Sequence, residues 1–391
     1  MRITNVSSIA LSLPIPPGGY TSEKAGTKRE WGRNIRITPH RPEPVLEYVI
    51  VRVETDQGIA GLGEATPDIG FFGETLEEVK TAIDRYMGPR LIGVDPFDRE
   101  YILHQLDVRG RSCAQSALDL AIHDLMGKAV GKPVCDLIGG HCKSRIPVAL
   151  EIAGGEPKVM AETCAKHVQQ GVRAFKPKIG GYPDADFERL KAIREAVGKD
   201  VTIRADANQG YSPKEAIRLC RLVEKYDIGL ELLEQPVAAF DLEGMAQVRQ
   251  SVETLIEADE SAFSVQDVMN IIRHQAADVI NIKIEKAGGL YNAKKIAALA
   301  EAAGLQCVIG TAFGLGITIA AKLHLAASTI IIKDAVEFTE IRLHENLLAK
   351  PNDSLLALPL EDGCLPVPDG HGFGVDLDQI KAQSYISTIV D

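Results

Sequence analysis

The chain has 391 residues, 45% of them hydrophobic and 25% charged, which is enough for a large buried core and too long for one average domain. Its formal net charge of −11 argues against nucleic acid or an anionic membrane as the main partner, since both select a basic footprint. A small anionic substrate, which feels only the local field, is left open.

No apolar run approaches the about 20 residues that a spanning helix needs, and Met-Arg-Ile-Thr-Asn-Val leads straight into a strand pattern without a secretory signal. The seven cysteines are scattered, odd in number and lack CxxC spacing. They read as small buried hydrophobes in a cytoplasmic protein, not as a disulfide framework or a zinc site.

In chain order, residues 2–13 and 45–55 read as strands, the second with Val45, Val49, Val51 and Val53 on one face. Asp56-Gln57-Gly58 is a turn, and Ile59–Ala65 returns as the partner strand of a hairpin. Helices are expected near Glu74, after Asp95-Pro96, and over Ala114–Leu125, where Ala114, Ala117, Leu118, Ala121, Ile122 and Leu125 recur at helical spacing. Strands followed by helices in blocks indicate an α+β domain over 1–125.

From about residue 146 the pattern alternates. Apolar strands are expected at 146–152, 174–178, 201–206, 229–234, 255–259, 279–283, 306–309 and 335–338, with helices such as 184–197, 213–226 and 290–303 between them. Eight strands with intervening helices favour a TIM-type barrel over 126–340, and no GxGxxG supports the competing open sheet. The Pro- and Gly-rich segment 341–391 is expected to pack back on the first domain.

Barrel chemistry sits at the C-terminal ends of the strands. Five successive strands end on Lys178, Asp206, Glu234, Asp259 and Lys283, at intervals of 28, 28, 25 and 24 residues, each about one βα unit. Three adjacent carboxylates would repel one another unless a divalent cation joined them. Their all-oxygen character selects Mg²⁺, with Mn²⁺ as a substitute, over Zn²⁺. The flanking lysines face each other across the cavity. A second ammonium, Lys176 beside Lys178, and the metal charge should depress a lysine pKa enough to give a neutral base. Such a site suits removal of a proton next to a carboxylate, with the metal stabilising the enediolate.

The order KxK, DxN, ExP, DE, K resembles the enolase superfamily and, within it, the muconate-lactonising subgroup. It is carried by Phe175-Lys176-Pro177-Lys178, Arg204–Asn208, Leu233-Glu234-Gln235-Pro236, Ala258-Asp259-Glu260-Ser261 and Asn281-Ile282-Lys283, with Gly61-Leu62-Gly63-Glu64-Ala65, Ala117–Asp124, Gly131-Lys132-Pro133 and Leu137–Gly140 in support. The resemblance covers nearly the whole chain. It implies a modified (β/α)7β barrel under an α+β N-terminal capping domain that the C-terminal tail completes. It also implies Asp206, Glu234 and Asp259 as Mg²⁺ ligands, Lys178 and Lys283 as the acid/base pair, and Lys176, Asn208 and Glu260 in support.

Two departures bear on the substrate. Where lactonising enzymes carry a Glu after strand seven, this chain has Gly314 within Gly310–Gly316, which also offers Phe313 as a candidate substrate contact. In place of the Asp-x-Asp of dipeptide epimerases it has Glu337-Phe338-Thr339-Glu340. Both features count against muconate and dipeptides, and the two glutamates tilt the reading toward a substrate with a cationic nitrogen. The basic segment 18–44, with Trp31 and Arg33, is read either as a solvated loop or as a lid over an anionic substrate.

The favoured activity is racemisation or epimerisation of an amino-acid-like carboxylate. Cycloisomerisation or dehydration on the same scaffold is the alternative, and a metal-independent Schiff-base aldolase the more distant one. The histidines read as structural, and the barrel–cap design suggests a homo-oligomer by analogy alone.

Overall fold

The hairpin glycines explain how the first domain is held together. Strands β1 (Ile3–Pro14), β2 (Val45–Thr55) and β3 (Ala60–Ala65) form an antiparallel sheet in that order. On one face Val49, Val51 and Val53 are fully buried against the helix Ser112–Val130, each side chain contributing about 1.5–3 kcal/mol. That helix comes so close to β3 that a Cβ on Gly61 would lie 2.0 Å from the Ala121 carbonyl oxygen, and one on Gly63 would lie 1.9 Å from that of Ala117. Glycine is required here for close approach of the two backbones.

The structure is a computed structural model, and it describes residues 1–15, 45–332, 335–340, 347–352, 355 and 357–387. Eight parallel strands follow the first sheet: β4 (Arg145–Ile152), β5 (Ala174–Pro177), β6 (Thr202–Asp206), β7 (Leu230–Glu234), β8 (Leu255–Ala258), β9 (Val279–Ile282), β10 (Gln306–Ile309) and β11 (Val336–Glu337). Their order is β10-β9-β8-β7-β6-β5-β4-β11, and a parallel bridge between Cys307 and Ile332 brings the β10 edge toward the chain leading into β11, so the barrel is nearly closed. The strands coincide with those expected from sequence to within one or two residues.

Local signals set the helix starts. Ser212 and Glu215 form a reciprocal capping box before Pro213–Lys225, and Ser264 and Asp267 do the same before Val265–His274. β12 (Cys364–Pro366) pairs antiparallel with the start of β4. The tail then runs along the first domain: Phe373 N donates to Asp124 Oδ1 at 2.8 Å, Ser12 N to the Tyr385 carbonyl at 2.8 Å, and Ser387 N to the Ala10 carbonyl at 2.9 Å. Asp124 also accepts from Leu62 N at 2.8 Å, so one buried carboxylate joins β3, a helix and the tail. His324, neutral because burial pushes it down to about 4, accepts from Cys135 N at 3.3 Å, and its other ring nitrogen lies 3.1 Å from the Phe373 carbonyl. Among the described residues no helix is long and apolar enough to cross a membrane.

Candidate active site

Register decides which side chains meet. In the parallel ladder Glu151 lies opposite Lys176, Asp206 opposite Glu234, and Glu234 opposite Glu257. Because side chains alternate along a strand, Lys176 and Lys178, Glu257 and Asp259, and Arg204 and Asp206 form two layers on the same inward face.

The deeper layer centres on Lys176, whose side chain is 1% exposed. Its ammonium lies 2.8 Å from Glu234, 2.5 Å from Glu337 and 3.2 Å from Glu151. One oxygen each from Glu234, Glu257 and Glu337 lie within 4.8 Å of one another. Asn281 Nδ2 donates to Glu257 at 2.9 Å, while the side-chain oxygen Asn281 Oδ1 and Glu257 Oε2 have no hydrogen-bond partners.

The layer nearer the mouth carries Lys178 with Asp206 at 2.5 Å, Lys283 with Asp259 at 2.6 Å, and Lys286 with the other Asp259 oxygen at 2.7 Å. Asn208 donates to Glu260 at 3.1 Å. Thus Asp206, Glu234 and Asp259 form a row along neighbouring strands, with Lys178 at one end and Lys283 at the other. Asn208, Gln209, Gln235 and Phe313, just past strands β6, β7 and β10, all have positive φ, the kind of strained backbone that clusters at functional sites.

Among the chain's own charges, carboxylates dominate two of the lysines. Burial pulls the Lys176 and Lys283 ammonium groups down, but Glu234 and Glu337 around the first, and Asp259 and Glu234 around the second, hold both above the usual lysine range. Lysine–lysine repulsion is the smaller effect, because carboxylates surround both amines. Lys286, in the same site, is held below its usual value by burial. Burial and then Asp206 push the Glu234 carboxyl well up, and burial with Asp259 pushes Glu260 up to about 7.

These residues fit a hard divalent cation. The donors of Asp206, Glu234 and Asp259 are all oxygens, Glu234 resists ionisation without added positive charge, and Glu260 Oε2 and Glu337 Oε1 are buried without hydrogen-bond partners.

Glu337 and Glu340, read from sequence as candidate partners of a substrate nitrogen, each engage a lysine of the chain and each keep one buried oxygen without a hydrogen-bond partner. Glu337 is bound to Lys176, and Glu340 lies 3.2 Å from Lys322 and accepts from the Thr311 hydroxyl. Phe313 is nearly buried at the β10 mouth, with its carbonyl accepting from the Tyr48 hydroxyl at 2.9 Å. Trp31, Arg33 and the whole 18–44 segment lie outside the described residues.

Sequence reasoning missed Glu151, Glu257, Lys286 and Lys322. The signal was present: each is an ionisable residue within or directly beside an otherwise apolar barrel element, and Glu257 sits two residues before Asp259. It also missed the aromatic roof. Phe71, from the segment after β3, lies 4.2 Å from the Lys283 ammonium and stacks on Phe263 at 5.4 Å, with Phe72 at 4.9 Å from Phe71.

Comparison with known proteins finds relatives over nearly the whole chain. Residues 159–381 match the family model "Enolase C-terminal domain-like", and residues 43–139 match "Mandelate racemase / muconate lactonizing enzyme, N-terminal domain". An L-Ala-D/L-Glu epimerase from Clostridium acetobutylicum is 36% identical over 330 residues, which is 84% of this chain and 90% of the relative. The crystal structure of an N-succinyl Arg/Lys racemase from Bacillus cereus superposes with a TM-score of 0.86 at 30% identity, covering 99% of this chain and 98% of that one. A dipeptide epimerase from Enterococcus faecalis, complexed with Mg and L-Leu-L-Tyr, gives 0.84 at 32% identity, over 96% of this chain and 100% of that one.

Proposed function

The chain belongs to the mandelate racemase / muconate lactonizing enzyme group of the enolase superfamily and is an isomerase, and on that premise we propose that it is a magnesium-dependent racemase or epimerase of an N-acylated amino acid or dipeptide. One observation carries the reading. Of the lysines in the barrel interior, Lys178 and Lys283 keep 15% and 9% of their side-chain surface open, whereas Lys176, Lys286 and Lys322 keep 1–2%. The two open amines flank the carboxylate row, so a substrate α-carbon held between them is reached from both sides.

In this reading Asp206, Glu234 and Asp259 hold the cation. When bound, it supplies the positive charge that stabilises the negative charge developing on the substrate carboxylate. One of Lys178 and Lys283 takes the α-proton and the other returns one to the opposite face. Lys176 keeps Glu234 and Glu337 in place. Phe71, backed by Phe263, lies over the Lys283 ammonium. The N-acylated class is supported by the relatives, which include enzymes named for dipeptides and for N-succinyl arginine and lysine.

The test is incubation in D₂O with Mg²⁺ and a panel of N-succinyl amino acids, dipeptides and muconates. Deuterium entering the α-position, lost in EDTA and restored by Mg²⁺, is the expected result. Exchange that persists in EDTA would overturn the metal-dependent reading. Turnover of a muconate with no α-exchange on the rest of the panel would make the protein a cycloisomerase.

A further inference from the structure

The turn that enters the barrel carries a second cluster of donors, at the rim opposite the active site. The helix Val134–Ile138 leads through Gly139 and Gly140 to β4, which begins at Arg145, so this turn lies at the N-terminal ends of the strands. Both glycines have positive φ, 151° and 96°, and Gly140 N donates back to the Cys135 carbonyl at 2.8 Å. The chain thereby doubles back, and His141 returns to the residues from which the helix started. The Cys135 sulfur, an Asp136 carboxylate oxygen and a His141 ring nitrogen lie within 4.8 Å of one another.

We propose that Cys135, Asp136 and His141 form a binding site for a zinc-type transition-metal ion, structural in purpose and separate from the barrel mouth. The donor set is one thiol, one imidazole and one carboxylate. That combination suits Zn²⁺ or Co²⁺ and is unsuited to Mg²⁺, which takes oxygen ligands. Ligands around a tetrahedral zinc sit about 2.0–2.3 Å from the metal, so donor atoms already within 4.8 Å of one another need shifts of about 1 Å to close on it. Asp136 and His141 are exposed side chains and free to make that adjustment.

The fourth position has a candidate in the next residue. Cys142 is an exposed free thiol directly after His141. The competing contact of Asp136 is a 3.9 Å ion pair with Lys132, partly exposed and therefore weak.

Binding forms a metal–sulfur bond as the Cys135 S–H bond breaks, and the proton leaves to solvent. The site would brace a junction, because Cys135 N is bound to His324 and Cys142 N to the Ala327 carbonyl at 2.9 Å, both on the helix Gly316–Ala327. A metal there would tie the turn before β4 to one of the last barrel helices.

The experiment uses the full, reduced protein saturated with Mg²⁺ and titrated with Co²⁺, followed by Zn²⁺. One equivalent of Co²⁺ should bind with sulfur-to-cobalt charge-transfer absorption, release a proton and be displaced by Zn²⁺. Cys135→Ser should remove the absorption, and His141→Ala, an exposed change that leaves the fold intact, should weaken binding at least about tenfold. Glu234→Gln should leave it unchanged. Zn²⁺ should also raise the melting temperature of the wild type and not of His141→Ala. No charge-transfer band, or a band of undiminished affinity in His141→Ala, would overturn the proposal.

Discussion

Glu64→Gln isolates one buried charge that ties the cap to the barrel mouth. Glu64, at the end of β3, is fully buried and accepts from Leu315 N and, at 3.3 Å, from Thr318 N, so it anchors the segment after β10. Burial pushes its carboxyl from 4.5 up to about 7. In the unfolded chain the group ionises near 4.5, so between that pH and about 7 the folded protein binds one more proton than the unfolded one. Folding stability attributable to Glu64 is therefore fully present below the unfolded pKa and is lost as pH rises through the folded one. The rise from 4.5 to about 7, at about 1.4 kcal/mol per pH unit, amounts to about 3.5 kcal/mol. Glutamine keeps the shape of the protonated acid and cannot ionise. Denaturant unfolding of both proteins, side by side from pH 4.5 to 8.5, should show the variant gaining about 3.5 kcal/mol on the wild type across that window. Curves that stay parallel would refute the assignment of a neutral, buried Glu64.

Three other substitutions follow from contacts of the same kind. Gly63→Ala should destabilise by about 3 kcal/mol or more, or yield no folded protein, because the new Cβ meets the Ala117 carbonyl at 1.9 Å; thermal melting reads this. Asp119→Asn should cost about 3–5 kcal/mol near neutrality. Against the upward push of burial, His123 and Arg99 hold the Asp119 carboxyl well below the usual range. Its stabilisation is thus present above about 3.8 and lost as pH falls below that, so the two melting curves should converge in acid. Lys176→Met leaves Glu151, Glu234 and Glu337 facing one another, and should lower stability by about 3–5 kcal/mol in EDTA, with part of the loss recovered on adding Mg²⁺.

The barrel was legible because its strands are short apolar runs separated by helical stretches, three of which start on a side-chain cap, and because the acids and lysines at the strand ends fall in one phase. Register then placed Asp206 beside Glu234 without further information. The inner polar layer was less legible. Glu151, Glu257 and Glu337 are separated by more than 70 residues in sequence, and only closure of the sheet brings them around Lys176. The pKa of Lys176 could not be read from its neighbour Lys178, because the carboxylates that dominate it come from four other strands. Phe71 reaches Lys283 across the cap–barrel boundary, a contact with no periodic trace in either segment. The meeting of Cys135 with His141 depends on two glycines with positive φ, and a search for CxxC spacing passes over it.

The central claim is that Lys178 and Lys283 serve opposite faces of one α-carbon. Exchange of the α-hydrogen in D₂O, followed for each enantiomer separately in Lys178→Ala and Lys283→Ala with Mg²⁺ present, tests it most directly. Each variant should lose exchange from one enantiomer by about 10²–10⁴-fold and keep it from the other, with the two variants opposite in preference. Loss of the same enantiomer in both variants, or unchanged exchange in either, would contradict the two-base arrangement.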